Sequence, residues 1–295
     1  MKSLLNIFVI LFYSLQLFGQ SEQQTIVGFR YVPKGTFTMN VVSNNNNQTT
    51  SETIAMTSFY MSQEITNKEY REFVEYANAN PSKFLTYSQI KRIVVADSIS
   101  GIKKDSIYSK RTFVKYSQIL NDLIDSTILE REVGKYKNYF TDTAYNNYPV
   151  VGVSQKAATY YCVWRTETEN NLLKQEGKPS IPEYRLPTEE EWAYVASQPE
   201  MSKSNKIVYN TLSAVKIGIL NLYGLYNFSC NISEWTASFP KTNWSKLTES
   251  KEQAIETRIA RGGSWKTNQD INLSYELDQN TKTNYIGFRL VRAFQ

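Results

Sequence analysis

The side chains that most often do chemistry in proteins are scarce here. The sequence has no histidine and only two cysteines, Cys162 and Cys230. Lack of histidine excludes a Ser-His-Asp or Cys-His nucleophile and any His-ligated zinc, haem or non-haem iron. Two thiols cannot build a four-thiolate zinc or iron–sulfur centre. Carboxylate acid–base chemistry and oxygen-ligated cations remain. The densest carboxylate group is Glu189, Glu190 and Glu191, directly after Thr188. Thr188-Glu189-Glu190-Glu191 has the form of a capping box: hydroxyl and third carboxylate satisfy free N–H groups at a helix start, where the helix dipole also favours negative charge. That role accounts for the acidic group, and no catalytic residue is assigned. Lys+Arg 33 against Asp+Glu 28 leaves a formal charge of +5, scattered along the chain. Such a balance is not the basic footprint of a nucleic-acid binder.

The elements that must position these residues are legible in part. The 295 residues, 41% hydrophobic and 21% charged, are enough for a sizeable core and globular in composition. Ile26 to Met39 alternates around Gly28, Pro33 and Gly35 and is expected to form a hairpin. Asn44 to Asn47 reads as a solvated loop, and a strand is expected over Ile54 to Met61. Thr66-Asn67-Lys68-Glu69 is a second capping box. Tyr70, Phe73, Val74 and Ala77 follow at helical spacing and Pro81 ends the run. Residues 82–145 are charged and weakly patterned, and are expected to be a surface insertion with one helix over Ile119 to Val133. Ser154 is placed to cap a long helix to about Gln175, with Gly177 and Pro179 as stops. Trp192, Val195 and Ala196 mark the buried stripe of a short helix after Thr188. The last hundred residues, rich in aromatics, Asn, Ser and Gly, suit short strands and long ordered loops. Cys162, in the apolar run Tyr160-Tyr161-Cys162-Val163-Trp164, is expected to be a buried free thiol.

At the N-terminus, Lys2 is the only charge before Glu22. Leu4 to Phe18 is mostly apolar and Gly19-Gln20-Ser21 is small and polar. This is the pattern of a secretory signal peptide over residues 1–20, with the mature chain starting near Ser21; the alternative is an uncleaved membrane anchor. The apolar run is shorter than the ~20 residues a spanning helix needs, and Asn6 and Gln16 interrupt it. No cysteine near its exit could accept a lipid.

A set of segments carries a family resemblance. In order they are Phe59-Tyr60-Met61 through Ile65-Thr66-Asn67-Lys68-Glu69-Tyr70; Tyr148-Pro149-Val150-Val151-Gly152-Val153-Ser154; Arg185-Leu186-Pro187-Thr188-Glu189-Glu190-Glu191-Trp192; Gly224-Leu225-Tyr226-Asn227 through Asn231-Ile232-Ser233-Glu234-Trp235-Thr236; and Arg261-Gly262-Gly263-Ser264-Trp265 with Gly287-Phe288-Arg289-Leu290-Val291. The pattern resembles the formylglycine-generating-enzyme (sulfatase-modifying factor) family. It implies a single α+β domain over 21–295, related to C-type lectin folds and poor in regular secondary structure. A narrower likeness is carried by Tyr139-Phe140, the segment Tyr145 to Val153, Cys162-Val163-Trp164-Arg165-Thr166-Glu167 and Gly177-Lys178-Pro179-Ser180. It is similar to the GldK/PorK and GldJ proteins of gliding motility and type IX secretion. That likeness implies a GldN/PorN-type protein partner, a ring assembly, and a place in the periplasm or at the periplasmic face of the outer membrane. The missing lipid-acceptor cysteine departs from the GldK/PorK pattern.

The family's oxidases hold copper(I) through two cysteines, because this ion prefers soft thiolates to oxygen. The matching positions here are Thr267 and Asn272. Neither can be a thiolate, so no copper is expected and the chain is expected to be non-catalytic. The stretch from Asn227 to Glu234 resembles one of the family's calcium loops. The resemblance implies side-chain oxygens from Asn227 and Glu234 and backbone carbonyls from Cys230 and Ile232. Calcium takes six to eight such oxygens; the alternative is that Asn227 and Glu234 only hydrogen-bond the loop. Cys230 stands where the family has glycine, which would cost about 1 kcal/mol if the position needed a positive φ. The family's other calcium loop is expected to be lost, since no acidic residue lies between Glu200 and Glu234. Trp192, Trp235 and Trp265 sit within the motifs and are expected in the core, with Trp244 the exposed one. The expected function is that of a non-catalytic secreted structural component of the secretion and gliding machinery, with the 82–145 insertion as its partner surface. The alternatives are a carbohydrate- or small-ligand-binding lectin-like module, or a residual sulfatase-modifying oxidase.

Overall fold

The computed structural model describes residues 28–43, 48–80, 87–96, 103–111, 122–203, 210–240, 256–267 and 270–294. The leader segment, the Asn44 to Asn47 loop, Pro81 and Trp244 lie outside them. Phe29–Val32 (β1) does not pair with Gly35–Ser43 (β2), as a hairpin would require. Instead β1 runs antiparallel to Phe59–Glu64 (β4), while β2 pairs along its whole length with Gln48–Met56 (β3). Pro33 follows β1 directly and has no N–H to continue a ladder, so the chain changes partner there. The single strand expected over Ile54 to Met61 is likewise two, divided at Thr57-Ser58.

Both capping boxes form. Thr66 accepts from the Glu69 N–H and Glu69 returns to the Thr66 N–H, opening the helix Asn67–Ala79 (α1). Its buried face is Asn67, Tyr70, Phe73 and Ala77. In the expected insertion, Tyr87–Ala96 (β5) and Lys103–Arg111 (β6) pair antiparallel. The helix expected from Ile119 is only Ile128–Val133 (α2). Before it, Asp125 accepts from the N–H and hydroxyl of Thr127, a turn that competes with helix. Gly134, at φ 66, ends it. This part of the insertion is not surface: Leu123, Ile128, Leu129, Tyr139 and Phe140 are all buried.

Ser154 caps the long helix Gln155–Gln175 (α3), accepting from the Ala157 N–H. Its first half is packed on most sides, whereas Leu172 near its end is exposed. Tyr161 stacks on Tyr70 at 5.6 Å and meets Phe73 and Phe288 edge-on, so α1, α3 and the C-terminal segment share one aromatic core. Burying such rings stabilises by roughly 1.5–3 kcal/mol each. Thr166 accepts from the Tyr184 N–H, tying the returning chain to the helix. Thr188 then caps Glu189–Ala196 (α4).

The remainder is short strands and loops: Glu200–Lys203 (β7), Ile219–Asn221 (β8), Ser233–Trp235 (β9), Thr257–Arg261 (β10), Ser274–Asp278 (β11), Ile286–Gly287 (β12) and Arg289–Ala293 (β13). One sheet has the order β1-β4-β13, with a register shift between Arg289 and Val291. Another has the order β11-β10-β9-β12, in which β9 and β12 are parallel. These sheets bring residues far apart in sequence onto one wall, since β4, β9 and β13 carry Glu64, Glu234 and Arg289. Cys162 and Cys230 are both buried, and they form no disulfide. Among the described residues no helix is long and apolar enough to cross a membrane.

Candidate functional site

The loop between β8 and β9 carries Asn227 and Asn231 at φ 68 and φ 67. Left-handed backbone is tolerated by asparagine better than by most residues. Cys230 is not among the positive-φ residues, so the strain foreseen for it does not arise; the asparagines on either side make the turn. Asn227 Oδ1 accepts from the Ile219 N–H at 3.3 Å. Its Nδ2 donates to Glu64 Oε2 at 3.1 Å, while Asn231 Nδ2 reaches Glu64 Oε1 at 3.0 Å. Glu64 is thereby held at the end of β4, fully enclosed. Burial, then the nearby Glu234 carboxylate, pushes its carboxyl well above the usual carboxylate range; Arg289 and the two amides pull the other way.

Glu234 is as deeply placed. Arg289 Nε donates to its Oε2 at 2.6 Å and Nη2 to its Oε1 at 2.5 Å. Trp192 Nε1 donates to Oε2 at 2.7 Å. Arg289 has no exposed surface, and it also donates to the carbonyls of Tyr226 and Ser62 and lies over the Phe228 ring at 4.1 Å. A bidentate, fully bonded arginine is what makes a buried carboxylate tolerable. Among the residues matched to the calcium loop, therefore, the Glu234 oxygens meet a guanidinium and the Asn227 oxygen meets an N–H. A calcium ion at this loop would have to draw Glu234 away from Arg289. As arranged, these side chains present no uncompensated anionic oxygen to a cation. Among the described residues no group of three or more His, Cys, Asp or Glu is placed to hold a metal ion.

The segment where the family's thiolates would stand lies next to this network. Gly262, at φ +88, passes so close to Phe228 O and the Trp192 ring that an added Cβ would sit 2.6 and 2.8 Å from them. Ser233 Oγ donates to the Gly262 carbonyl. Beyond it, the Trp265 N–H donates to the Asn231 carbonyl at 2.8 Å and its indole to that of Asn284, while Thr267 Oγ1 accepts from the Ser264 N–H at 2.9 Å and Asn272 Nδ2 donates to Asp270 Oδ1 at 3.0 Å. Cys162 is on α3, where burial pushes its thiol far up, and Cys230 is in the asparagine loop. Neither stands in for Thr267 or Asn272. In the acidic triplet, Glu191 completes its capping box and pairs with Arg185 through both oxygens at 2.6 Å, while Glu189 lies 3.4 Å from Arg261. Trp192 and Trp235 are fully buried, and Trp265 is half-buried at the edge of a tyrosine cluster.

Glu64 also forms part of the wall of a cavity of about 490 Å³. Apolar wall comes from Phe29, Ile65, Tyr161, Val215 and Leu290, and the charged lining is Glu64, Lys68, Glu69, Arg165 and Lys216. Sequence reasoning singled out neither this cavity nor the roles of Glu64 and Arg289. Glu64 ends a wholly buried strand, and Arg289 ends the Gly-Phe-Arg motif; a charge amid apolar residues was the available signal for both.

A family model described as "Sulfatase-modifying factor enzyme 1-like domain" matches residues 14–216 and 196–294. Among solved structures, "Crystal Structure of CarF" is 16% identical at a TM-score of 0.50, covering 90% of this chain and 98% of that one. "Treponema denticola variable protein 1" is 14% identical at a TM-score of 0.46, covering 90% and 95%. The search of curated proteins returned no match.

Proposed function

The chain belongs to the sulfatase-modifying factor enzyme 1-like domain family, and from that premise we propose that it keeps the family's fold without its oxidase chemistry. It serves as a secreted structural component of the type IX secretion and gliding machinery, working in the periplasm by presenting a rigid surface to a GldN/PorN-like partner. The observation that carries the non-catalytic part is at Thr267 and Asn272. Hard oxygen and amide groups stand where copper(I) needs thiolates, and both cysteines are buried in other elements. The secretion and gliding assignment is supported by the GldK/PorK-like sequence segments. Its test is an affinity pull-down from an envelope fraction together with a gene deletion. Co-purified secretion or gliding components and a strain defective in secretion or spreading support the assignment. Normal secretion and spreading contradict it.

The calcium loop implied at Asn227, Cys230, Ile232 and Glu234 is opposed by the Arg289–Glu234 pair, which an ion would have to break, and it is tested separately. Saturable thermal stabilisation by calcium, reversed by chelator, supports it, and an unchanged melting temperature removes it. The cavity favours a second reading, a small-ligand-binding module on the same fold.

A further inference from the structure

The cavity beside Glu64 has a definite chemical character. Its polar wall is largely spent on the protein itself. Ser62 Oγ donates to the Gln63 carbonyl and accepts from the Leu290 N–H. Gln63 donates to the Gly224 carbonyl and accepts from the Tyr226 N–H. Glu69 Oε2 accepts from both the N–H and the hydroxyl of Thr66, and Glu64 accepts from two amides. The lining cations are differently placed. Lys68 and Lys216 are exposed and neither forms an ion pair within 4 Å among the described residues. Arg165, on α3, has one ion pair among the described residues, to Glu169 at 3.9 Å, the long limit for such a pair. Three cations from separate elements thus border a space whose other surface is aromatic and aliphatic.

We propose that this cavity binds a small organic acid, its carboxylate met by Lys68, Arg165 and Lys216 and its apolar body lying against Phe29, Ile65, Tyr161, Val215 and Leu290. The inference rests on the small-ligand reading and names its ligand class. A neutral sugar is the poorer occupant, because its hydroxyls would find few polar groups not already bonded. The volume suits a single small molecule, within the usual range of ligand cavities.

The experiment is calorimetric titration of the full chain with 3-phenylpropionate, its neutral amide, glucose and inorganic phosphate. The expected result is saturable binding of the acid, about tenfold weaker for the amide, which corresponds to about 1.4 kcal/mol. The Lys68→Gln/Lys216→Gln double variant should lose about tenfold in affinity for the acid, and Arg165→Gln should also weaken it. Lys178→Gln, an exposed lysine paired with Glu176, should leave binding unchanged. Circular dichroism checks that each variant is folded. A phenylalanine-ended tripeptide, free acid against amide, separates a free metabolite from a chain terminus as the source of the carboxylate. Equal binding of acid and amide overturns the carboxylate assignment while leaving a small-ligand site in place, as does saturable binding of glucose alone. No binding by any of the organic probes overturns both. Equal loss in the Lys178 variant, or phosphate binding as tightly as the acid, reduces the effect to general surface charge and also overturns the proposal.

Discussion

The loop from Asn227 to Trp235 and the segment after Gly262 are neighbours near the Trp192 ring, yet the side chains at their family-matched positions are held differently. In the first, polar side chains bond across the whole fold: Asn227 and Asn231 to Glu64, and Glu234 to Arg289 and Trp192. In the second, Trp265 is tied across the fold through its N–H to the Asn231 carbonyl and its indole to that of Asn284, but the side chains at the two matched positions bond close by, Thr267 to Ser264 and Asn272 to Asp270. Long-range buried bonds tie the loop's residue types to the fold. Local, half-exposed bonds leave residue types free to change. On the proposed reading, threonine and asparagine at 267 and 272 are accommodated because their side chains are bonded only to near neighbours among the contacts named above.

The sharpest way to break this contrast is Arg289→Met, which strands Glu234 as a buried charge. The expected loss is about 3–5 kcal/mol, read from urea unfolding; a loss under about 1 kcal/mol would show that the network does not hold the fold. Trp192→Phe keeps an aromatic side chain but removes the indole N–H that donates to Glu234, together with part of the buried bicycle. About 1–3 kcal/mol is expected, with the same measurement.

A third test concerns pH. The Glu64 carboxyl is raised above its usual 4.5 by burial and by Glu234. Between that unfolded value and the raised folded one, the unfolded chain has lost its proton while the folded chain keeps it. Stability therefore falls as pH rises through this window, by up to about 1.4 kcal/mol per pH unit from this group. Glu64→Gln should flatten that slope in melts across pH; an unchanged slope would assign it to other groups. The smallest effects belong to the second region. Thr267→Ala and Asn272→Ala should each cost under about 1.5 kcal/mol, and larger losses would erase the contrast.

Much of this framework is readable before any coordinates. Thr66 with Glu69, Thr188 with Glu191, and Ser154 are local signals, and helices start at each as expected. Strand partners are not local signals. Nothing near Phe29 says that it will pair with Ser62 rather than fold back on Met39. The burial of Leu123 and Phe140 was hidden by the charges around them, because their apolar neighbours come from α1 and α3. The site divides along the same line. Thr267 and Asn272 are named by position within a motif, whereas the Glu64 network exists only where β4, β9 and β13 converge, and the adjoining cavity only where α1 and α3 meet β4 and β13.

The central proposal is that this chain has the sulfatase-modifying factor fold but does not bind copper(I). Competition for copper(I) between the purified chain and a chromophoric chelator tests it most directly. The account predicts that the chelator keeps all the copper, in the wild type as in a Cys162→Ser/Cys230→Ser variant. One equivalent of copper retained by the protein, and lost on Thr267→Ala or Asn272→Ala, would contradict it.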